Sequence, residues 1–370
     1  VFLTRPICAT FLVIAALTLL LPFFFSRMDI RIMQDIEFAP VSDLDDPALR
    51  DTLQTTLDRK TKPVGSLGRL EGIALRIGLI LRTAAPVLES PQMLVCAGDH
   101  GLVKRGVSAY PQDVTWQMVE NYLAGGAAVS VIARQNGIAL SVADCGVAHD
   151  FAPRDQLLVR KVGYGTADCT QGPAMTDDQC ALAIRNGQTL VEALPGNALM
   201  LGEMGIGNTS AASLILARLC QIDIAACTGA GTGLNNAGVL RKTNILRQAL
   251  AAHPEATAPL DVLAAFGGFE MATMVGAMLQ AAAENRVILV DGFIVTAALM
   301  VAARVEPRVL QRFGQPVDHV VQHFECGKAF GDSATCKQNA RDDQSRDAEI
   351  NHPVRAARLL RLTERERQIG

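Results

Sequence analysis

The chain has 370 residues, 49% of them hydrophobic and 19% charged, with a formal net charge of -3, a composition that buries a large core as one big or two moderate domains. The near-neutral balance and the lack of any Lys/Arg cluster interleaved with aromatics argue against a nucleic-acid partner. Nine cysteines, an odd number with no C-x-x-C pair and with Cys96 and Cys220 set in apolar runs, fit a reducing cytoplasm better than a disulfide framework. From Pro6 to Phe25 the chain is almost wholly apolar between Arg5 and Arg27, just long enough to span a bilayer and without a clear small-residue cleavage site. This leader, residues 1–27, reads as a membrane anchor, an uncleaved signal, or a start placed ahead of the true one at Met28 or Met33. The last is favoured, because nothing after Met28 suits a membrane or an oxidising compartment; an inner-membrane-anchored protein facing the cytoplasm is second.

After an acidic segment from Asp43 to Asp51 and a helical pattern, the chain repeats one phrase. Short apolar runs end in Gly, Asp or Glu, and a helix rich in small residues follows. Met93 to Ala97 precedes Gly98-Asp99-His100, Ala139 to Ala143 precedes Asp144, and Leu199 to Leu201 precedes Gly202-Glu203. Leu263 to Phe266 precedes Gly267-Gly268-Phe269-Glu270, and Val287 to Val290 precedes Asp291-Gly292-Phe293. Repeated strand–loop–helix units predict an α/β fold, a mainly parallel Rossmann-like sheet flanked by helices. Continuous rather than alternating apolar runs mean that both sheet faces are covered. Ligands of such sheets gather at the carboxyl ends of the strands, where these polar residues fall.

The rhythm holds over residues 28–310 and stops near Leu310, leaving 311–370 as a divergent, charged tail that ends in a basic amphipathic stretch from Pro353 to Ile369. The spacing His319-x3-His323-x2-Cys326, with Cys336 nearby, matches no usual zinc arrangement, so no metal is expected.

The stretch Leu199-Met200-Leu201-Gly202-Glu203-Met204-Gly205-Ile206-Gly207-Asn208-Thr209-Ser210 is the most telling. An apolar strand runs into a glycine turn and a helix that Thr209 or Ser210 can cap. Free backbone N–H groups at a helix N-terminus suit a phosphate ester. Glu203 is out of place there unless it holds a ribose hydroxyl or a proton on a second substrate.

Seven motifs in order, from Arg59 to Leu310, resemble those of the nicotinate-nucleotide:dimethylbenzimidazole phosphoribosyltransferase family. They are Lys62-Pro63-Val64-Gly65-Ser66-Leu67-Gly68-Arg69-Leu70-Glu71, Ala97-Gly98-Asp99-His100-Gly101, and Gly106-Val107-Ser108-Ala109-Tyr110-Pro111-Gln112-Asp113-Val114-Thr115. The Gly202 to Thr209 turn, Thr228-Gly229-Ala230-Gly231-Thr232-Gly233-Leu234, Phe266-Gly267-Gly268-Phe269-Glu270 and Val290-Asp291-Gly292-Phe293-Ile294-Val295-Thr296 complete them. The resemblance implies transfer of the phosphoribosyl group of nicotinate mononucleotide to 5,6-dimethylbenzimidazole. The products are nicotinate and α-ribazole 5′-phosphate, made for cobalamin with inversion at the anomeric carbon and without a cofactor. It further implies a homodimer and a small helical domain over the site, incomplete here.

By the same resemblance, the backbone of Gly205, Gly207, Asn208 and Thr209 takes the phosphate, Lys242 lies near phosphate and carboxylates, and Tyr110 and Gln117 line the benzimidazole pocket, with Ser108 and Met118 weaker neighbours. Glu203 is the catalytic carboxylate that remains. The family's other glutamate, the proposed general base in a late Gly-Glu-Gly-Thr-Gly-like loop, has no counterpart here, since Glu325, Glu349, Glu364 and Glu366 lie in no such loop. That departure suggests a frameshifted or otherwise disrupted reading frame past Leu310, or an assembly artefact, and as the alternative function a catalytically impaired nucleotide-binding remnant. Asp99 reads as a loop-organising or domain-bridging carboxylate that does not easily touch its neighbour His100, and Glu270 and Asp291 as strand-end groups near the same mouth.

Overall fold

The computed structural model describes residues 36–313. Asp46 caps α1 (Pro47–Asp58) by accepting the Leu49 N–H at 2.9 Å, and Pro47 supplies a φ already suited to a first helical turn. The side chain of Leu53 on α1 fills the space beside Gly78 of α2 (Arg69–Ile80). β1 (Gln92–Gly98) follows, then α3 (Val114–Leu123), α4 (Ala128–Gln135), β2 (Ala139–Gly146) and the short β3 (Leu157–Val159). A capping box at Thr176 and Gln179 starts α5 (Asp177–Ala193), which leads to β4 (Ala198–Met204) and α6 (Asn208–Cys220). The rest comprises α7 (Ile224–Cys227), α8 (Asn236–Ala252), α9 (Pro259–Phe266), α10 (Phe269–Ala283), β5 (Val287–Leu289) and α11 (Phe293–Val305).

All five strands are parallel, in the order β3-β2-β1-β4-β5. From β1 the chain winds outward through β2 and β3, then crosses back to lay β4 and β5 on the other side of β1. The winding reverses between β1 and β4, and at such a switch point the flanking loops part and leave a crevice beyond the strand ends. The register sets Cys96 beside Glu203 and Ala97 beside Met204, so the Gly98-Asp99-His100 and Gly205-Ile206-Gly207 segments leave the sheet side by side at that crevice.

α10 is apolar around its whole circumference and accordingly buried, touching β1, β2, β4 and β5 on one side and α5 on the other. Two glycines permit that contact. A Cβ on Gly187 would collide with the Thr273 carbonyl, and one on Gly276 with the Ile184 carbonyl. On the opposite sheet face Val95, Ala97 and Val142 pack with Val119 of α3, with Trp116, Tyr122 and Met204 at the edge of the cluster.

Two expectations are corrected. Leu263 to Phe266 is the end of helix α9 rather than a strand; Pro259 starts the helix and Gly267 ends it, and a four-residue apolar run cannot tell the two apart. The cap of α6 is Gly207 at φ 94, with Thr209 and Ser210 already inside the helix. Only a glycine takes that conformation freely. Beyond Leu310 the described chain continues against the domain: Arg312 and Phe313 are buried, Phe313 bridges to Ile288, and Arg312 donates to the Ala282 carbonyl at 3.1 Å. Among the described residues no helix is long and apolar enough to cross a membrane. The apolar leader, the His319/His323/Cys326 spacing and the rest of the tail lie outside the described residues.

Candidate active site

Glu203 is the second-last residue of β4, partly buried, and its Oε2 accepts a hydrogen bond from the Asn208 amide at the start of α6. Burial pushes its pKa up to about 7, and the nearby Glu270 carboxylate adds to that, while the Asn208 amide and His100 pull it back. A carboxyl poised there can exchange a proton near neutral pH.

The glycine turn beyond it is held by packing as well as by hydrogen bonds. A side chain on Gly205 would meet the Gly98 carbonyl and the His100 ring, and one on Gly207 would meet Val103. Thr115 of α3 fixes the turn by accepting the Ile206 N–H at 3.1 Å. The Asn208 N–H, expected to face an anion, instead donates to the Gly205 carbonyl at 3.1 Å, and Ser210 donates to Gly207 at 2.9 Å. Among the described residues the N–H groups of Gly207 and Thr209 keep no internal partner and are the donors left at the helix start.

Lys242 reaches the same helix start from α8. Its ammonium donates to Thr209 Oγ1 at 3.0 Å and lies 3.5 Å from the Gly229 carbonyl. It is 1% exposed, and burial alone lowers its pKa to about 8. No carboxylate pairs with it among the described residues. A buried cation without a counter-charge is costly unless an anion arrives to pair with it. Gly231 of the 228–234 loop comes close enough that a Cβ there would sit 3.5 Å from the ammonium.

The structure therefore joins Glu203 to Asn208, and Thr209 to Lys242, on either side of one turn. Tyr110, 50% exposed, and the exposed Gln117 join neither group; Tyr110 lies on the loop before α3 and Gln117 on α3 itself, the helix whose Thr115 bonds the turn. Asp99 organises loops as expected: its Oδ2 accepts the Ala148 N–H at 2.8 Å, its own N–H donates to Gly146 and its carbonyl accepts from Thr166. Asp291 is exposed, whereas Glu270 ends no strand and lies wholly buried in the first turn of α10, 2.8 Å from His100 Nε2. The linear sequence hides that pair, because its two halves stand 170 residues apart in separate motifs. It hides Tyr122 as well, whose hydroxyl is pushed up to about 12 by burial and by the charge of Glu203.

A family model described as phosphoribosyltransferase matches residues 43–314. The nicotinate-nucleotide–dimethylbenzimidazole phosphoribosyltransferase of Variovorax paradoxus (strain S110) is 64% identical over 272 residues, which cover 74% of this chain and 78% of that protein. The enzyme of the same name from Dechloromonas aromatica (strain RCB) is 55% identical over 271 residues, 72% of this chain and 78% of its own. Among solved structures, CobT from Thermus thermophilus superposes with a TM-score of 0.71 at 35% identity, covering 75% of this chain and 87% of that one.

Proposed function

The chain belongs to the nicotinate-nucleotide–dimethylbenzimidazole phosphoribosyltransferase family, and from that premise we propose how its own residues carry the reaction. It is a pentosyltransferase of cobalamin biosynthesis that joins the phosphoribosyl group of nicotinate mononucleotide to 5,6-dimethylbenzimidazole. A ring nitrogen of the benzimidazole attacks the anomeric carbon from the face opposite nicotinate. The bond to the pyridinium nitrogen breaks, its electron pair leaves with nicotinate, and the other ring nitrogen gives up its proton. The products are α-ribazole 5′-phosphate and nicotinate.

The observation that carries the site assignment is the buried Lys242 ammonium with no counter-charge among the described residues, 3.0 Å from Thr209 at the N-terminus of α6. The substrate's 5′-phosphate completes that group, taking the lysine together with the N–H groups of Gly207 and Thr209 in a charge-assisted arrangement. Gly205 leaves room for the turn to pass His100 and does not itself need to touch the phosphate. Glu203 then lies one turn away, where the azole N–H is released, and its proton affinity near neutrality suits it to accept that proton. Its hydrogen bond from Asn208 holds the carboxylate in place. Tyr110 and Gln117 supply one wall of the flat pocket for the base.

The six free thiols among the described residues support reaction in a reducing cytoplasm. The exposed Val64, Leu67 and Leu70 offer apolar surface to a second copy of the chain in a homodimer, which light scattering would test. To test the function, the purified chain is incubated with nicotinate mononucleotide and dimethylbenzimidazole. Equimolar nicotinate and α-ribazole 5′-phosphate are the expected result. Binding of the mononucleotide without turnover would instead identify a catalytically impaired relative.

A further inference from the structure

Behind Glu203 lies a group that the transfer itself does not use. His100, 3% exposed, and Glu270, 0% exposed, are joined at 2.8 Å from Nε2 to Oε1. They come from the carboxyl end of β1 and the first turn of α10, the two elements that meet β4 at the crevice. Three glycines box them in. A Cβ on Gly98 would stand 2.7 Å from Glu270 Oε2, one on Gly205 would stand 3.3 Å from His100 Nε2, and one on Gly268 would collide with both side chains. Glu270 Oε2 has no hydrogen-bond partner among the described residues. The buried imidazole thus bonds Glu270 and feels the charges of two further carboxyl groups, Asp99 and the partly buried Glu203.

We propose that His100 is a positioning residue whose imidazolium, fixed by Glu270, cancels the charge of that carboxylate and so leaves Glu203 free to give up and take back its proton. The inference rests on the reading of Glu203 as the group that accepts the azole proton. Removal of one partner from a buried pair leaves the other charge uncompensated. With His100 neutral, Glu270 faces Glu203 directly, and two close carboxylates cannot both stay ionised without cost. With His100 charged, the pair is neutral as a whole and only Glu203 changes charge during the reaction. Burial opposes the imidazolium, but Glu270, Asp99 and Glu203 outweigh it and raise its pKa above the usual histidine value. The other titratable groups facing Glu203 and the pair are the hydroxyl of Tyr122 on α3 and the thiol of Cys96 on β1; burial keeps Tyr122 protonated, and the neighbouring Cys145 thiol together with burial keeps Cys96 so. They add no charge near neutrality, which leaves His100 as the cation of the cluster.

The test follows Glu203 directly, in full-length protein carrying glutamate labelled with 13C at the side-chain carboxyl. Its signal is assigned by its loss in Glu203→Gln. In His100→Gln the Glu203 midpoint should move up by roughly one to two pH units. In the double variant His100→Gln, Glu270→Gln, which removes both charges, it should return to the wild-type value or below. In turnover assays the acid limb of kcat/KM should follow the Glu203 midpoint, up in the single variant and back in the double one. A folded His100→Gln whose Glu203 midpoint is unmoved, or a double variant no closer to wild type than the single one, overturns the proposal. Should either variant not fold, 15N-labelled histidine in the wild type decides it: the His100 ring should stay doubly protonated at pH about 6.5, and a neutral ring there overturns it. None of the carboxyl or imidazole measurements needs turnover. An inactive protein with the expected shifts therefore tells against Glu203 as base and leaves the coupling standing.

Discussion

The two sides of the Gly205–Gly207 turn hold opposite electrostatic problems. On the sheet side carboxyl groups are in excess: Glu270 holds the His100 imidazole, Asp99 and Glu203 act on it through their charge, and the Glu203 pKa rises to about 7. On the helix side the Lys242 ammonium is buried with hydroxyl and carbonyl neighbours only among the described residues, and its pKa falls to about 8. Both shifts arise first from burial, yet they lead to different chemistry. The first yields a group that can take a proton, and the second a charge that can be satisfied by an incoming phosphate. A short turn bounded by two glycines keeps them apart, so a substrate with an anion at one end and a reacting carbon at the other can bridge them.

That contrast breaks most severely at Glu203. Glu203→Gln preserves shape and removes the proton acceptor, so kcat should drop by about 10²- to 10⁴-fold while KM for the mononucleotide changes little; steady-state release of nicotinate measures both. Next in size is Lys242→Met. Loss of a charged hydrogen bond to the phosphate, at about 1.5–3 kcal/mol, should raise KM for the mononucleotide roughly 10- to 100-fold, with kcat less affected. The same change should raise the melting temperature of the ligand-free protein at pH 7, because the buried ammonium is held below its usual pKa and costs stability whenever it is charged. In the wild type that cost diminishes as pH rises from about 8 towards the ordinary lysine value of 10.5.

The pH profile sharpens the comparison in one experiment. kcat/KM should rise through about 7 as Glu203 loses its proton, and fall through about 8 as Lys242 loses its own. Glu203→Gln should erase the acid limb and leave the basic one. The smallest expected effect is at the rim. Tyr110, half exposed, contributes aromatic contact worth about 0.5–1.5 kcal/mol, so Tyr110→Ala should raise KM for the benzimidazole roughly two- to tenfold and leave KM for the mononucleotide alone.

Local rules carried much of the fold. The runs before Gly98, Asp144, Gly202 and Asp291 each became a parallel strand, because an uninterrupted apolar stretch ending in small or polar residues is what a sheet covered on both faces requires. Leu263 to Phe266 carried the same local signal but is helical, a choice made by the proline upstream and by contacts with distant elements. At the site, the motifs picked out Glu203 and Thr209 and the resemblance added Lys242, and the fold gathers them at one turn. What a linear reading could not supply was pairing across the chain. The Asn208 side chain turns back to Glu203, and its N–H closes the turn where an anion was expected to bind. His100 and Glu270 meet because α10 packs against β1.

The contact between α5 and α10 bears on how the enzyme moves. Glycines at 187 and 276 let the two backbones touch, and Glu270 rides on the first turn of the helix so clamped. The amides of α10 should therefore be among the slowest to exchange with solvent, opening only when the whole domain unfolds. Glu270 then has no local excursion by which to follow the substrate. The polarity of this pocket is established when the chain folds, and the adjustments of the catalytic cycle fall to the exposed loops at its rim.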